Sequence, residues 1–285
     1  MKFETPEIPE GINVTKVHPL RELVVLLGGA LLLIVALLYV LGSSAGFLAR
    51  YIPFDTELQM ASSFPAQKSG DGKIDSYLES VKARLLDVME LPEGMNITLR
   101  YSADETVNAF ATLGGNIVVY RGLLEKLPNE NALSMLLAHE IAHVKHRDPI
   151  VSLSRGLTIS ATLTLLLGQS DLGVLNNSGL YTMLHFSREM EREADSEALN
   201  AVHAIYGHVR GADDLFKVIK SYRQESGNKE GLKFLQSHPF DQERINTIKA
   251  RAAENHWNET GKPTAIPRDF IDALKKSAQS GKSAS

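Results

Sequence analysis

Residues 139–143 read His-Glu-Ile-Ala-His, and on a helix this spacing projects both imidazoles from one face, one turn apart. Two neutral imidazole nitrogens so placed can clamp one Zn²⁺. Glu140 beside them can take a proton from a water held at the metal. The reaction class implied is metal-assisted hydrolysis of a peptide bond. A catalytic zinc takes three protein ligands and keeps one position for water, so the fold has to deliver a third donor from a distant part of the chain. The competing reading is a core helix whose histidines hydrogen-bond internally. It is disfavoured because two histidines and a carboxylate on an apolar helix are costly without a metal.

The flanks support a helix. Asn129 or Asn131 can cap its start, and Leu133, Leu136, Leu137, Ile141 and Val144 recur at helical spacing. Asp148-Pro149 is expected to stop it. A candidate for the third ligand lies in 187–195, Ser-Arg-Glu-Met-Glu-Arg-Glu-Ala-Asp. Glu191 and Asp195 are one turn apart. Glu191 could bind metal, and Asp195 could hydrogen-bond the second nitrogen of a ligand histidine. Such a run can also be a solvated helix face, as Glu189 and Glu193 are expected to be.

Residues 116–120, Asn-Ile-Val-Val-Tyr, form a β-branched run. It reads as an exposed edge strand able to pair with an extended peptide, or simply as core packing. Asn116 and Val118 on that strand, with Asn108 nearby, are the candidate substrate-binding residues. Ile74, Leu78, Val81, Leu85 and Val88 mark an amphipathic helix over 74–89, expected to pack under the metal-binding helix.

From Leu23 to Leu41 the chain carries no charge and is dominated by Leu, Val, Ile and Ala. About 20 such residues cross a bilayer as a helix. A cleavable signal would have a shorter apolar region and a short basic start, so a retained anchor is favoured over cleavage near Ser43-Ser44-Ala45. Lys2, Lys16 and Arg21 precede the span and Arg50 follows it. Positive-inside logic therefore places the N-terminus in the cytoplasm and the rest across the membrane, periplasmic in a Gram-negative cell. Ile150–Leu167 could be a second span. Arg155 and several Ser and Thr interrupt it, so a pair of core helices within 149–186 is favoured.

The 285 residues, 44% hydrophobic, can bury one sizeable core, and a net charge of −4 gives no sign of nucleic-acid binding. Cysteine is absent, which excludes disulfides, thiol chemistry and thiolate-bound zinc. The expected organisation is a polar segment 1–22, an anchor 23–41, a juxtamembrane linker 42–73, a catalytic domain 74–258 and a tail 259–285, disordered from Ser277. No repeats are visible.

Four blocks in order carry a resemblance. They are Asn108-Ala-Phe-Ala-Thr112 with Gly114-Gly-Asn-Ile-Val-Val119, then Arg121-Gly-Leu-Leu124 with the His-Glu-Ile-Ala-His helix. Ser187-Arg188-x-x-Glu191-x-x-Ala194-Asp195 and His238-Pro239 with Arg244-Ile245 follow. Across roughly 75–250 the chain resembles the membrane-associated zinc metallopeptidases of the HtpX, CAAX prenyl protease and Oma type. The resemblance implies a mainly helical α+β fold, a zincin-like domain with a small β-sheet, besides the one N-terminal transmembrane helix. It implies one Zn²⁺ per chain held by His139, His143 and Glu191, with Glu140 as general base and Asp195 behind a ligand. His238 maps to a histidine near the metal, as oxyanion stabiliser or as fourth ligand in a resting state. On the residues alone, a His before Pro is more often a loop residue, and Arg244 either holds a nearby carboxylate or makes a surface salt bridge. The lack of clear extra spans departs from HtpX itself and from a CAAX-type intramembrane chamber. The implied role is an endopeptidase acting on misfolded or damaged envelope proteins. The rival is a chaperone-like or adaptor protein binding unfolded chains at the same groove, against which the intact Glu140 argues. A structural zinc module is disfavoured because such sites close with four ligands, often cysteines.

Overall fold

A computed structural model describes residues 18–62, 72–167, 184–225, 238 and 242–282. The architecture is α+β and mainly helical, with one small sheet. Helix α1 spans Pro19–Ala49 and α2 Phe54–Ser62. The domain proper opens with α3, Gly72–Leu86, whose Ile74, Leu78, Val81 and Leu85 are buried at helical spacing, each such side chain stabilising by about 1.5–3 kcal/mol. As the periodicity predicts, this stripe packs beneath the metal-motif helix, although Val88 lies past the helix end and is exposed.

The sheet contains β1 (Thr98–Ser102), β2 (Ala109–Thr112) and β3 (Asn116–Tyr120), in spatial order β1-β3-β2. β1 runs parallel to β3 and β2 antiparallel to it. This corrects the edge-strand reading of 116–120: β3 is central, and its β-branched residues are core. Asn116 pairs with both Thr98 and Thr112, and Val118 with both Arg100 and Phe110, so neither backbone can accept an added strand. The edge beside the metal-motif helix is β2. The tight β2–β3 connection depends on glycine: Gly115 has φ +71°, and a Cβ there would lie 1.9 Å from Asn96 O.

A short helix α4 (Arg121–Leu124) leads to α5, Glu130–Lys145, which carries the histidine motif. Asn129 is the cap, accepting from Ala132 N–H at 2.8 Å. Asn131 instead accepts from Thr264 N–H at 2.8 Å, while Glu130 N–H donates to Thr264 O at 2.9 Å. The metal-motif helix ends at Lys145, just before Asp148-Pro149 as expected, but the pair does more than stop it. The chain turns at Arg147, a non-glycine residue with φ 64°, and Asp148-Pro149 opens α6, Asp148–Leu167, where proline at the first turn is pre-set for a helix. Helix α7, Arg188–Tyr206, then lies along α5, its Ala194, Ala198 and Ala201 allowing close approach. Helices α8 (Asp214–Glu225), α9 (Gln242–Glu254) and α10 (Arg268–Lys282) complete the described chain.

Two segments are more ordered than composition suggests. The expected linker is helical over 42–49 and again through α2, where Glu57 is buried. It accepts from Gly114 N–H at 2.9 Å and from Arg147 Nε at 2.9 Å. The expected tail is not disordered from Ser277: α10 runs to Lys282 and buries Phe270, Ala273 and Leu274 in the main core. Phe270 packs on Tyr77 with ring centroids 4.6 Å apart, and Tyr101 hydroxyl donates to Ser277 Oγ at 2.9 Å. The amphipathic spacing of α10, read against its Ser-rich end, is why composition misled.

Glu130, at the first turn of α5, accepts from Tyr77 at 2.6 Å, Tyr206 at 2.8 Å and Arg84 at 2.9 Å. Burial works against its charge, but these donors prevail and hold the carboxyl below its ordinary range. A depressed folded-state pKa contributes stability above the unfolded value of about 4.3, lost as pH falls through that value and below. The denaturation midpoint of the wild type should therefore exceed that of Glu130→Gln at neutral pH, and the gap should shrink in acid. A gap independent of pH would mean that Glu130 acts by packing alone.

Candidate metal centre

Helices α5 and α7 and His238 converge on one buried point. His139 and His143 project from the same face of α5, with Nε2 atoms 3.0 Å apart. Glu191 enters from the first turn of α7, where a helix N-terminus favours a carboxylate. That turn is placed by Ser187, whose hydroxyl accepts from Met190 N–H. Glu191 Oε1 lies 3.4 Å from His143 Nε2, and its Oε2 lies 3.6 Å from His139 Nε2. His238 Nδ1 lies 3.0 Å from Glu191 Oε1 and 3.3 Å from His139 Nε2. The ligand atoms of these four residues all fall within 4.8 Å of one another, and all four residues are buried.

These separations test whether a metal fits. Donors about 2.0–2.1 Å from a tetrahedral zinc are separated by about 3.3 Å, and the observed contacts bracket that value. Four lone-pair donors facing one another in a buried site would be unfavourable without a cation between them. The residues present fit zinc.

Behind the donors a second layer of acids fixes the imidazoles. His139 Nδ1 meets Asp195 Oδ1 at 2.9 Å, and His143 Nδ1 meets Asp148 Oδ2 at 2.8 Å. The hydrogen bond to Asp148 directs His143 Nε2 inward as the free donor, and the close carboxylate of Asp195 favours the same tautomer of His139. Asp195 is gripped by Arg244, whose Nε donates to Oδ2 at 2.7 Å and Nη2 to Oδ1 at 2.8 Å. The third guanidinium nitrogen reaches Glu191 Oε2 at 2.5 Å. Of the two readings left open for Arg244, the buried one describes this structure. Phe186 stacks on His143, centroids 4.0 Å apart and planes at 17°.

The electrostatics follow from this packing. Burial opposes a charge on His143, yet its hydrogen bonds to Asp148 and Glu191 push it up to about 10. A proton and a zinc ion compete for the same lone pair, so a surround that favours one cation favours the other. Burial likewise opposes the charge on Glu191, but His238 and Arg244 hold its carboxyl well below the ordinary range. Glu140 differs: burial pushes its carboxyl up. It stands just outside the donor group, Oε1 3.5 Å from His238 Nε2, and the nearby backbone of Ala111 on β2 favours its ionised form.

Of the residues singled out in the sequence, His139, His143, Glu191 and His238 are gathered at one point, with Glu140 and Asp195 in contact with them. Asn108 is buried at the start of β2, its carbonyl accepting from Tyr120 N–H at 3.1 Å. Asn116 is turned elsewhere, donating to Leu113 O at 2.8 Å and accepting from Arg100 at 3.2 Å. Asp148 and Phe186 escaped the sequence reading. An acid five residues beyond the second histidine was a usable signal for Asp148, hidden because Asp-Pro reads as a helix stop. Nothing local marks Phe186.

The peptidase family M48 model matches residues 73–252, the region that contains every residue of this centre. The chain is 29% identical over 178 residues to a mitochondrial metalloendopeptidase OMA1 of Schizosaccharomyces pombe, covering 61% of this chain and 51% of that protein. It is 27% identical over 233 residues to the beta-barrel assembly-enhancing protease of Escherichia coli, covering 74% of this chain and 46% of that one. The chain thus spans about half the length of these relatives. With the family match extending over more than half of its length and around a donor set suited to zinc, the chain belongs to peptidase family M48, whose members are zinc-dependent metalloproteases.

Proposed function

We propose that this chain is a zinc-dependent endopeptidase acting on extended polypeptides at a membrane, in the handling of misfolded or damaged membrane and envelope proteins. The observation that carries the proposal is the buried set His139, His143, Glu191 and His238 with the carboxylate of Glu140 beside it. Zinc held there would lower the pKa of water and polarise a scissile carbonyl. Glu140 would take the proton from the attacking water and deliver it to the leaving amine. Asp195 and Asp148 would keep His139 and His143 in the ligating tautomer, and Arg244 would hold Asp195 and Glu191 in place.

His238 fits the fourth donor position, so this arrangement is read as a closed resting state, with His238 withdrawing to admit water. Substrate pairing is assigned to β2 rather than β3. Tyr120 N–H donates to Asn108 O, so residues 108, 110 and 112 point their backbone at β3, while Ala109 and Ala111 present theirs to the outer edge. An extended peptide added there would run beside Glu140, and Asn108 Oδ1 is a buried acceptor with no hydrogen-bond partner among the described residues. Both alanines are buried, in keeping with a closed state. The apolar α1 is read as the anchor. Its flanking charges favour a cytoplasmic N-terminus and a periplasmic domain in the inner membrane of a bacterium.

The test is cleavage of casein by the full-length, detergent-solubilised chain. Cleavage should disappear on zinc chelation and return with added zinc. Casein left intact by the zinc-loaded chain, but retained by it, would favour the chaperone-like alternative.

A further inference from the structure

Helix α6 begins in the core and ends outside it. Ile150, Val151 and Leu153 are buried in a small cluster with Phe186 and Met190, so the first turns belong to the domain. Beyond Arg155 the partner changes to α1. Gly42 faces Ile159, and a Cβ on Gly46 would lie 2.4 Å from Arg155 Nε. Rising positions on one helix thus meet falling positions on the other, which makes the pair antiparallel. On α1 the residues at least partly shielded from solvent are Ile34, Leu38, Gly42, Ala45, Gly46 and Ala49, a helical stripe that extends well into the uncharged 23–41 run. This corrects the core-helix reading of the second apolar segment for the outer half of α6. The second helix once expected before Phe186 lies outside the described residues.

We infer that the outer half of α6, Gly156–Leu167, is embedded in the lipid acyl chains of one leaflet beside α1. This rests on the reading of α1 as a membrane anchor. Four observations on α6 itself point to lipid. The segment carries no charge, and Arg155 before it sits beside Gly46, past the apolar 23–41 span and four residues before Arg50, the next charge on that chain. Ile159, Leu163, Leu165 and Leu166 are exposed, Leu165 at 84%, an apolar surface continuous with the exposed leucines of α1. One of its hydroxyls is satisfied inside the helix, Thr162 donating to Thr158 O at 2.8 Å, as a lipid-facing helix requires. Finally, Gly156–Leu167 rises about 18 Å at about 1.5 Å per residue, whereas one leaflet contributes about 15 Å of hydrocarbon. The segment is long enough to enter a leaflet and too short to cross. Asp148, which holds His143, is the first residue of this helix. The geometry therefore ties the metal centre directly to an element seated in the bilayer, and places substrates at the membrane surface.

The chain has no cysteine, so single cysteines report without background. Leu165→Cys (α6), Leu33→Cys (α1) and Ser80→Cys (exposed on α3) would be made in the full-length protein and reconstituted in phosphatidylcholine vesicles. With a membrane-impermeant maleimide, the Ser80 position should label while Leu33 and Leu165 do not. Bimane attached in detergent at Leu33 or Leu165 should then be quenched by acyl-chain-brominated phosphatidylcholine, and bimane at Ser80 should not. Labelling at Leu165 with Leu33 protected would overturn the inference and leave the anchor standing. Labelling at both would overturn both. Protection of Leu165 without bromine quenching would also overturn it, because protein and not lipid would then be the cover.

Discussion

Glu140→Gln should lower turnover of casein by about 10²–10⁴-fold, the usual contribution of a positioned general base, without loss of bound zinc. The substitution is nearly isosteric in a fully buried position, so packing is preserved. It removes the carboxylate proposed to accept and return the proton. Glutamine keeps the hydrogen-bonding capacity but cannot be protonated in this range, which separates proton transfer from mere polarity. Two measurements on one preparation decide the matter: metal per chain and initial cleavage rate. Equal rates in the two proteins would remove Glu140 from the mechanism and point to a contaminating protease. Loss of zinc together with activity would mean that Glu140 supports the metal rather than the water.

Glu191→Ala should abolish stoichiometric zinc binding while leaving most helicity intact. Glu191 supplies the only carboxylate among the four gathered donors, and its charge is already stabilised by His238 and Arg244. Without it three imidazoles remain, with Arg244 still pointing a guanidinium nitrogen toward the site. Asp148→Asn should be milder, weakening zinc by about 10–100-fold as removal of a supporting partner typically does, because His143 keeps its lone pair but loses the group that orients it. Zinc content after competition with a chromogenic chelator, read beside far-ultraviolet circular dichroism, distinguishes the two. Full occupancy in Glu191→Ala would exclude this carboxylate from the centre. A collapse of helicity would call for the volume-conserving Glu191→Gln before any conclusion is drawn.

The two variants differ in how visible their positions were beforehand. Glu140 was legible at once, because its role depends on neighbours within a turn of the same helix. Glu191 was legible only as one of several acids in a run; the structure separates it from Glu189 and Glu193 because α7 turns Glu191, Ala194 and Asp195 inward along one stripe. Asp148 was read only as part of a helix stop, since the backbone turn at Arg147 that brings it under His143 has no sequence signature. For 116–120, composition correctly indicated a strand but could not say which strand lay at the edge, because sheet order depends on where β1 and β2 dock.

The sequence by itself determined the histidine-motif helix, the carboxylate proposed as its base and an uncharged segment suited to a membrane, since each depends on spacing within a few turns of one element. The tertiary structure alone decided the rest. It made β2 the sheet edge, closed the centre with His238 across a long sequence separation, tied His139 through Asp195 to Arg244, and carried α6 from the site onto α1. The physical reason is common to all of these. They are contacts between elements far apart in the chain, set by how apolar faces stack and by which buried charges must find partners once water is excluded.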